Sequence, residues 1–542
     1  MPRSPIPRRK RLCAAIALTL GALSVSPAQA DDVIALSSLD GSNGFRLDGV
    51  AQDDESGRAV ARAGDINNDG IDDLIIGASG ADPVGSNSGS TYVVFGKPNG
   101  FDPVVSLSTL DGSNGFRLDG AANGDRSGSA VSAAGDVNDD GVDDLLIGAP
   151  TADSTGGTQA GSSYVVFGKP GIFDPVISLS ALDGTNGFRL DGYDSGDRSG
   201  VSLAGVGDVN GDGIDDLIIG AYEVDLDEDE SGAAYVVFGR DTAFEAVIGL
   251  GSLDGSTGFR LDGVGESDYA GGSVSGAVDI NGDGIDDLII AADGADIPST
   301  SSGSTYVVFG RDTGFDAAVD LATLDGTIGF RLDGMDRQNS GSDVSGAGDI
   351  NGDGIDDLII GAYSADPNGL QLAGSSYVVF GRDDGFDAVI SLSTLNGGNG
   401  FRLDGAAAFD SMGDAVSAAG DVNGDGIDDL IIGAYGADPN ALEYAGSSYV
   451  LFGRRGRRFE ATINLSTLGG DTGFRIDGVA SDDFSGRAVS GAGDFNGDGI
   501  DDVIIGAPRA DPAGSSSGST YVVFGRRYEV FKDRFEVVDP DR

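Results

Sequence analysis

The acidic phrase D-x-N-x-D-G-x-D-D occurs seven times, and each copy runs directly into an apolar stretch of the Leu-Ile-Ile kind. The first copy is 65–73, and the others begin at Asp136, Asp208, Asp279, Asp349, Asp421 and Asp494. Successive copies lie 70 to 73 residues apart. A repeat of near-constant length indicates stacked copies of one structural unit rather than unrelated domains.

Each unit contains four strand candidates separated by Gly and Asp, clearest in the second unit at 115–120, 130–134, 144–148 and 163–167. The second candidate is rich in small residues, as expected where strands crowd around an axis. The third is apolar on both faces, as expected for a strand covered on both sides. The pattern predicts an all-β, seven-bladed β-propeller with four-stranded antiparallel blades over residues 31–525.

The two ends of the chain predict how the ring closes. A Phe-Arg-Leu-Asp strand stands alone near the start, within 44–49, and none follows the last Tyr-Val-Val-Phe strand at 521–524. We therefore expect 44–49 to become the outer strand of the blade built by 485–525. Stretches such as 177–184 are expected to turn at Asp-Gly and pack a Leu pair under the rim. The tail at 526–542 either adds a strand or stays loose.

The first thirty residues read as a secretory signal peptide. Five basic residues up to Arg11 precede an apolar run at 12–25, and small residues lead to a cleavage site after Ala30. The Arg8-Arg9 pair leaves a twin-arginine signal open. We expect a secreted, extracellular or periplasmic protein. The sole cysteine, Cys13, lies in this segment, so no disulfide is expected.

Charge and composition limit the partners. Five of the 33 basic residues lie in the signal, which leaves 28 against 88 acidic residues, a net charge of −60. This balance excludes ordinary nucleic-acid binding, which needs basic patches. No later segment reaches the ~20 apolar residues of a membrane span. The chain has no His, which excludes Ser-His-Asp and His-based zinc chemistry.

The repeated phrase has the chemistry of a calcium loop. Oxygen side chains at positions 1, 3, 5 and 9 surround a turn-forming Gly, and hard cations take six to eight oxygen ligands. In the first copy the predicted ligands are Asp65, Asn67, Asp69, the backbone carbonyl of Ile71, and Asp73. Asp72, at position 8, is expected to point away and begin the strand.

Two units depart from the pattern. In the fourth, Val278 and Ala291 replace Gly residues of the other copies, although the acidic phrase is intact. In the third, the acidic run 223–230 replaces an Ala-Asp-Pro loop. A solvated loop is the favoured interpretation of this run, and an additional weak cation site is the alternative.

The order Ser-Gly, Ala-Gly-Asp, acidic loop, Asp-Asp-Leu-Ile-Ile-Gly-Ala, Tyr-Val-Val-Phe-Gly resembles the FG-GAP repeat of the integrin α-subunit propeller and of related bacterial secreted proteins. The resemblance implies a seven-bladed propeller, calcium in the loop between the first two strands of a blade, and a role in adhesion. Unlike integrins, all seven copies here keep the full ligand set. The remaining ligands that the resemblance implies are Asp136, Asn138, Asp140, Val142, Asp144, Asp208, Asn210, Asp212, Ile214, Asp216, Asp279, Asn281, Asp283, Ile285, Asp287, Asp349, Asn351, Asp353, Ile355, Asp357, Asp421, Asn423, Asp425, Ile427, Asp429, Asp494, Asn496, Asp498, Ile500 and Asp502.

Three functions follow from these observations. The first is a calcium-stabilised adhesion or ligand-binding module without enzymatic activity, whose extracellular protein or glycan partner contacts loops away from the ions. The second is a carbohydrate-active hydrolase or lyase, since a catalytic carboxylate pair needs no His. The third is a structural component of a surface layer or matrix.

Overall fold

The computed structural model describes residues 33–225, 230–456 and 458–527. The predicted signal peptide and almost all of the predicted tail lie outside these ranges. The described part contains strands joined by short 3-10 turns and loops. None of its helices is long and apolar enough to cross a membrane.

The strands, in chain order, are β1 Val33–Ala35, β2 Gly44–Asp48, β3 Ala59–Gly64, β4 Asp73–Ala78, β5 Ser90–Val94, β6 Val104–Ser106, β7 Gly115–Asp119, β8 Ala130–Gly135, β9 Asp144–Ala149, β10 Ser162–Val166, β11 Val176–Ser178, β12 Gly187–Asp191, β13 Leu203–Gly207, β14 Asp216–Ala221, β15 Ala233–Val237, β16 Val247–Gly249, β17 Gly258–Asp262, β18 Val274–Val278, β19 Asp287–Ala292, β20 Ser304–Val308, β21 Ala318–Asp320, β22 Gly329–Asp333, β23 Val344–Gly348, β24 Asp357–Ala362, β25 Ser375–Val379, β26 Val389–Ser391, β27 Gly400–Asp404, β28 Val416–Gly420, β29 Asp429–Ala434, β30 Ser447–Leu451, β31 Thr462–Asn464, β32 Gly473–Asp477, β33 Ala488–Gly493, β34 Asp502–Ala507 and β35 Ser519–Val523. The 3-10 turns are Leu36–Ser38, Leu107–Thr109, Leu179–Ala181, Leu250–Ser252, Leu321–Thr323, Pro367–Gly369, Leu392–Thr394, Pro439–Ala441, Leu465–Thr467 and Gly470–Thr472.

These strands form seven five-stranded sheets, the blades of a β-propeller. From the axis outward, blades one to seven are β3-β4-β5-β7-β11, β8-β9-β10-β12-β16, β13-β14-β15-β17-β21, β18-β19-β20-β22-β26, β23-β24-β25-β27-β31, β28-β29-β30-β32-β1 and β33-β34-β35-β2-β6. The innermost strands contact one another in sequence, and β3 contacts β33 to complete the circle. The predicted seven-bladed, all-β fold is confirmed.

The prediction of four strands a blade was wrong by one short strand. The stretch 177–184 overlaps β11, which follows β10 of blade two but pairs in parallel with β7 of blade one. Each unit thus contributes a three-residue strand to the preceding blade. This strand pairs with the outer edge of that blade, which would otherwise be exposed. The Leu at the start of each following turn, such as Leu179, is buried as predicted.

The N-terminal strand closes the ring as predicted. β2 pairs antiparallel with β35, with Phe45 opposite Val522. In addition, β1 pairs in parallel with β32 and so completes blade six. Residues 33–48 therefore complete two blades.

The hydrophobic core is divided among the seven interfaces between neighbouring blades. Between blades one and two, Ile75 and Phe116 pack with Leu145 and Tyr164, and blades seven and one are joined in the same way. The second strand from the axis is buried at every residue in all seven blades, because a neighbouring blade covers each of its two faces. We call it the central strand of its blade. Burial of this kind supplies most of the driving force for assembly of the ring.

Candidate metal centres

Each acidic loop lies between the first and second strands of its blade. In blade one the loop covers 65–72, leaves the inner strand β3 after a β-bulge at Arg62/Gly64, and enters the buried strand β4 at Asp73. The antiparallel order of the strands places all seven loops on the same edge of the ring.

The side chains of the first and fifth loop residues accept hydrogen bonds from backbone N–H groups of the same loop. The carboxylate of Asp65 accepts N–H groups from Asp69 at 2.8 Å and from Gly70 at 2.7 Å. Asp69 Oδ1 accepts the N–H of Ile71 at 3.1 Å. The Asp65-to-Gly70 contact recurs in every blade. These bonds fix a tight turn with acidic side chains around it.

The ninth residue is a fully buried carboxylate. Asp73 is 0% exposed, and its Oδ1 accepts the N–H of Gly96 at 2.9 Å. Asn67 Nδ2 donates to Asp73 Oδ2 at 3.1 Å. Burial, together with the charges of Asp69 and Asp65, raises the pKa of Asp73 from 3.8 to about 8, although the hydrogen bond from the Gly96 N–H acts to lower it. The same causes raise the pKa to about 8 at Asp144, Asp216, Asp287, Asp357 and Asp502, and to about 9 at Asp429.

These sites fit a divalent cation by their chemistry. Among the described residues, no Lys or Arg forms an ion pair with positions 1, 5 or 9 of any loop. A buried carboxylate is costly unless it is protonated or paired. A cation held by positions 1, 3, 5 and 9 and the position-7 carbonyl would supply the missing positive charge. In the same part of the chain, no group of three or more acidic side chains lies close enough together to hold a metal ion without some movement of the side chains.

The eighth residue has a role that the sequence reading missed. The side chain of Asp72 points out of its own loop, as expected, but β4 starts one residue later and the carboxylate accepts the N–H of Asp494 at 2.9 Å. Likewise, Asp143 accepts the N–H of Asp65 at 2.8 Å. All seven junctions carry this bond, at 2.8 to 3.2 Å. A closed ring of hydrogen bonds therefore joins each acidic loop to the next.

The Gly before each loop makes room for this bond. Gly64 has a φ of +70°, and a Cβ there would lie 2.3 Å from Asp143 Oδ2. Blade four carries Val278 instead, outside the left-handed region, and its junction bond, from Asp279 to Asp356, is the longest of the seven at 3.2 Å. The departure noted in the sequence thus changes the junction and leaves the acidic loop in place.

The acidic run of the third unit is partly outside the described residues, which omit 226–229. Its described acids have partners within the protein. Glu223 forms a 3.1 Å ion pair with Arg198. Asp225 accepts the N–H of Glu230, whose carboxylate accepts the Tyr269 hydroxyl at 2.9 Å.

A closed ring of seven blades, each with an acidic loop after its inner strand, defines a repeat propeller with one candidate cation centre per blade. The FG-GAP repeat model matches the chain seven times, at 56–94, 127–166, 199–237, 270–308, 340–379, 412–451 and 485–523, about half of its length. The chain belongs to the FG-GAP repeat family.

Curated relatives match over shorter stretches. The chain is 35% identical over 173 residues to integrin alpha pat-2 of Caenorhabditis elegans, covering 31% of this chain and 13% of that protein. It is 34% identical over 158 residues to phosphatidylinositol-glycan-specific phospholipase D of Bos taurus, covering 29% and 17%. With integrin alpha-4 of Xenopus laevis it shares 32% over 178 residues, covering 32% and 15%. The matched part spans less than a fifth of each of these relatives.

Proposed function

We propose that this protein is an exported ligand-binding or adhesion module whose seven acidic loops bind calcium and thereby stabilise the ring. The observation that carries the proposal is the buried ninth-position carboxylate, which recurs in all seven blades without a cationic partner among the described residues. Calcium suits this site better than magnesium, because a flexible loop of carboxylates and a carbonyl accommodates its larger and less regular coordination shell.

The proposed metal role concerns architecture rather than catalysis. The predicted ligands of one site, from Asp65 to Asp73, join the axis-lining strand β3 to the buried strand β4. A cation there would hold the two strands together and relieve repulsion among three carboxylates. Through the position-8 bonds, each stabilised loop would also support the loop of the neighbouring blade.

The ligand-binding role follows from the resemblance to integrin α-subunits. The phospholipase relatives do not argue for an enzyme, because similarity over part of a chain does not transfer an activity. The match covers 17% of the Bos taurus phospholipase and 13% of the Caenorhabditis elegans integrin, so coverage does not separate the two. We propose a non-enzymatic protein that reaches its partner outside the cytoplasm after cleavage behind Ala30. Determination of the N-terminal residue of the exported protein tests this last point, with Asp31 expected.

A binding array tests the proposed function. The protein lacking residues 1–30 is applied to glycans and matrix proteins in calcium and in chelator, and we expect specific binding that chelation weakens. A variant with Asp65 and Asp69 replaced by Asn should lose part of the calcium effect. Asp102→Asn, which removes an exposed acid outside the loops, is the matched control.

Two other outcomes would replace the proposal. Calcium-driven polymerisation without ligand binding, followed by light scattering, would favour a surface-layer or matrix component. Release of saccharide ends from a polysaccharide, retained after the loop substitutions, would favour an enzyme.

A further inference from the structure

A segment of the following blade packs against each acidic loop. In blade two this contact segment, 167–175, comes directly after β10. The N–H of Lys169 donates to the carbonyl of Ile66, the second residue of the first acidic loop, at 3.1 Å. The same bond to the second loop residue recurs around the ring at 2.9 to 3.1 Å, donated by Lys97, Lys169, Arg240, Arg311, Arg382, Arg454 and Arg526. Each acidic loop therefore has a fixed neighbour in the next blade.

The residue after this basic donor differs in charge from blade to blade. We number the acidic loops one to seven in chain order and call the residue that follows the donor the contact residue. For loops one to seven the contact residues are Pro170, Asp241, Asp312, Asp383, Arg455, Arg527 and Pro98. All seven are exposed. Because the same fold forms around Pro, Asp and Arg, folding does not dictate the charge at this position.

The contact residue packs against the fourth loop residue, between the predicted ligands at positions 3 and 5. Loops three and six show this most clearly, because both have the sequence D-V-N-G-D-G-I-D-D. A Cβ on Gly211 of loop three would lie 3.0 Å from the Cβ of Asp312. A Cβ on Gly424 of loop six would lie 2.9 Å from the Cγ of Arg527. Two identical loops thus have neighbours of opposite charge.

Loops four and five form a second matched pair, since both have the sequence D-I-N-G-D-G-I-D-D. A Cβ on Gly282 of loop four would lie 3.5 Å from the Cβ of Asp383. A Cβ on Gly352 of loop five would lie 2.9 Å from the Cβ of Arg455. Again the loop is the same and the sign of the neighbouring charge is reversed.

Cavities beside the loops bring the contact residue to the predicted ligands. Beside loop two, a cavity of about 670 Å³ is lined by the residues at positions 3 and 5 together with Asp241. Beside loop five, a cavity of about 770 Å³ is lined by the residues at positions 3 and 5 together with Arg455. The contact residue and the predicted ligands therefore share the same solvent space.

Arg455 brings a second positive charge to loop six. Burial and the charge of Asp421 raise the pKa of Asp425, at position 5 of that loop, whereas the charge of Arg455 acts to lower it. Within the described residues, neither Arg455 nor Arg527 forms an ion pair that would cancel its charge. The basic donor is common to all seven loops, so the difference between loops three and six lies in the contact residues.

We propose that the charge of the contact residue grades the calcium affinity of the seven acidic loops, an inference that rests on the calcium binding of the proposed function. A divalent cation is attracted by a neighbouring carboxylate and repelled by a guanidinium. Loops two, three and four, beside Asp, bind calcium most tightly. Loops one and seven, beside Pro, are intermediate, and loops five and six, beside Arg, bind it least tightly.

The grading gives the ring an order of loading. As calcium rises, the loops of blades two to four fill first and those of blades five and six last. The contact residues are exposed, so water and salt screen their charges. The expected difference between loops three and six is therefore about tenfold, the size expected when a unit charge near a divalent ion changes sign in water.

Calorimetric titration with calcium, on the protein lacking residues 1–30, compares the two identical loops. Asp212→Asn in loop three and Asp425→Asn in loop six remove the same carboxylate from position 5. Asn keeps an oxygen that can accept the position-7 N–H, now bonded at 3.0 and 3.1 Å. We expect the first variant to lose a tight site and the second to lose a weak one. Thermal unfolding in excess calcium establishes that both variants are folded.

Reversing one contact charge tests the cause. Arg455→Asp should strengthen the weakest calcium constants about tenfold, and the gain should shrink in about 1 M salt, where screening is strong. Arg337→Asp makes the same charge change at an exposed residue on the opposite edge of the ring and should bind calcium like wild type.

Two results would overturn the inference. The first is loss of the same class of site in Asp212→Asn and Asp425→Asn, and the second is equal calcium binding by Arg455→Asp and Arg337→Asp. If calcium still binds the wild-type protein in either case, the proposed calcium role stands and only the grading fails. If the wild-type protein binds no calcium, the grading and the proposed calcium role fail together.

Discussion

At the scale of single residues, the loop residues that the sequence identified are those that the fold gathers at one edge. Seven copies of one phrase identify positions 1, 3, 5 and 9, because side-chain chemistry within a nine-residue loop is local. The sequence could not reveal the burial of Asp73 beneath a neighbouring strand or the partner of Asp72 in another blade. Both depend on residues outside the nine-residue loop, 23 positions away for Asp73 and Gly96 and 422 positions away for Asp72 and Asp494.

The raised pKa of the ninth-position aspartates predicts the pH dependence of stability in chelator. For Asp73 the pKa is about 8 in the folded protein against an ordinary 3.8, so the folded state binds extra protons between these values. Stability from these groups is complete below about pH 4 and is lost as pH rises through about 8. We expect the melting temperature in chelator to fall between pH 5.5 and 8.5.

Excess calcium provides the control for this pH series. A bound cation favours the ionised carboxylates, so the fall should shrink or reverse. Surface aspartates with a lowered pKa, such as Asp40, are ionised throughout this range and add no slope. A melting temperature in chelator that is constant with pH would contradict the burial argument.

Asp143→Ala tests the hydrogen bonds between blades. It leaves the N–H of Asp65, now bonded at 2.8 Å, without its acceptor, and should lower the free energy of unfolding by about 1–2 kcal/mol. Asp143→Asn removes the same charge but keeps an acceptor oxygen and should stay close to wild type. Equal losses in the two variants, measured by chemical denaturation, would show that charge rather than the bond matters.

At the scale of strands and turns, the long strands were predictable and the fifth strand was not. The Leu-Ile-Ile and Tyr-Val-Val segments are recognisable as strands because β-branched and aromatic residues favour this conformation. By contrast, β11 is a three-residue strand that exists only because the edge of β7 lies beside it. A segment this short has no periodicity, and its pairing with the preceding blade is a tertiary property.

Gly64→Ala tests how the inner strand enters the loop. The new Cβ would lie 2.3 Å from Asp143 Oδ2 on a backbone with a φ of +70°, so one of the two must move. We expect a loss of about 1–3 kcal/mol in the free energy of unfolding. The control is Gly100→Ala, where φ is +81° and nothing lies within 4 Å of the added atom. If both variants lose equal stability, backbone strain alone accounts for the glycine.

At the scale of the whole molecule, closure of the ring could be predicted from the sequence. The last repeat lacks its Phe-Arg-Leu-Asp strand, and one such strand stands alone near the start of the chain. The extension of closure to blade six, through β1, was not readable, since Val33–Ala35 is too short to be recognised.

Graded truncation tests closure. Removing residues up to 40 takes away β1 and the following turn with its buried Leu36, whereas removing residues up to 50 also takes away β2, the fourth strand of blade seven. The first deletion should lower the melting temperature modestly and the second much more, because it exposes the core between blades seven and one. A melting curve unchanged by the longer deletion would contradict closure by the N-terminal strand.

The central claim is that calcium in the seven acidic loops stabilises the propeller. Differential scanning calorimetry of residues 31–542, in chelator and then in calcium, tests it most directly. We expect the melting temperature to rise with calcium concentration and to rise less with magnesium, because ions that bind only the folded state stabilise it. Identical melting curves in chelator and in saturating calcium would contradict it.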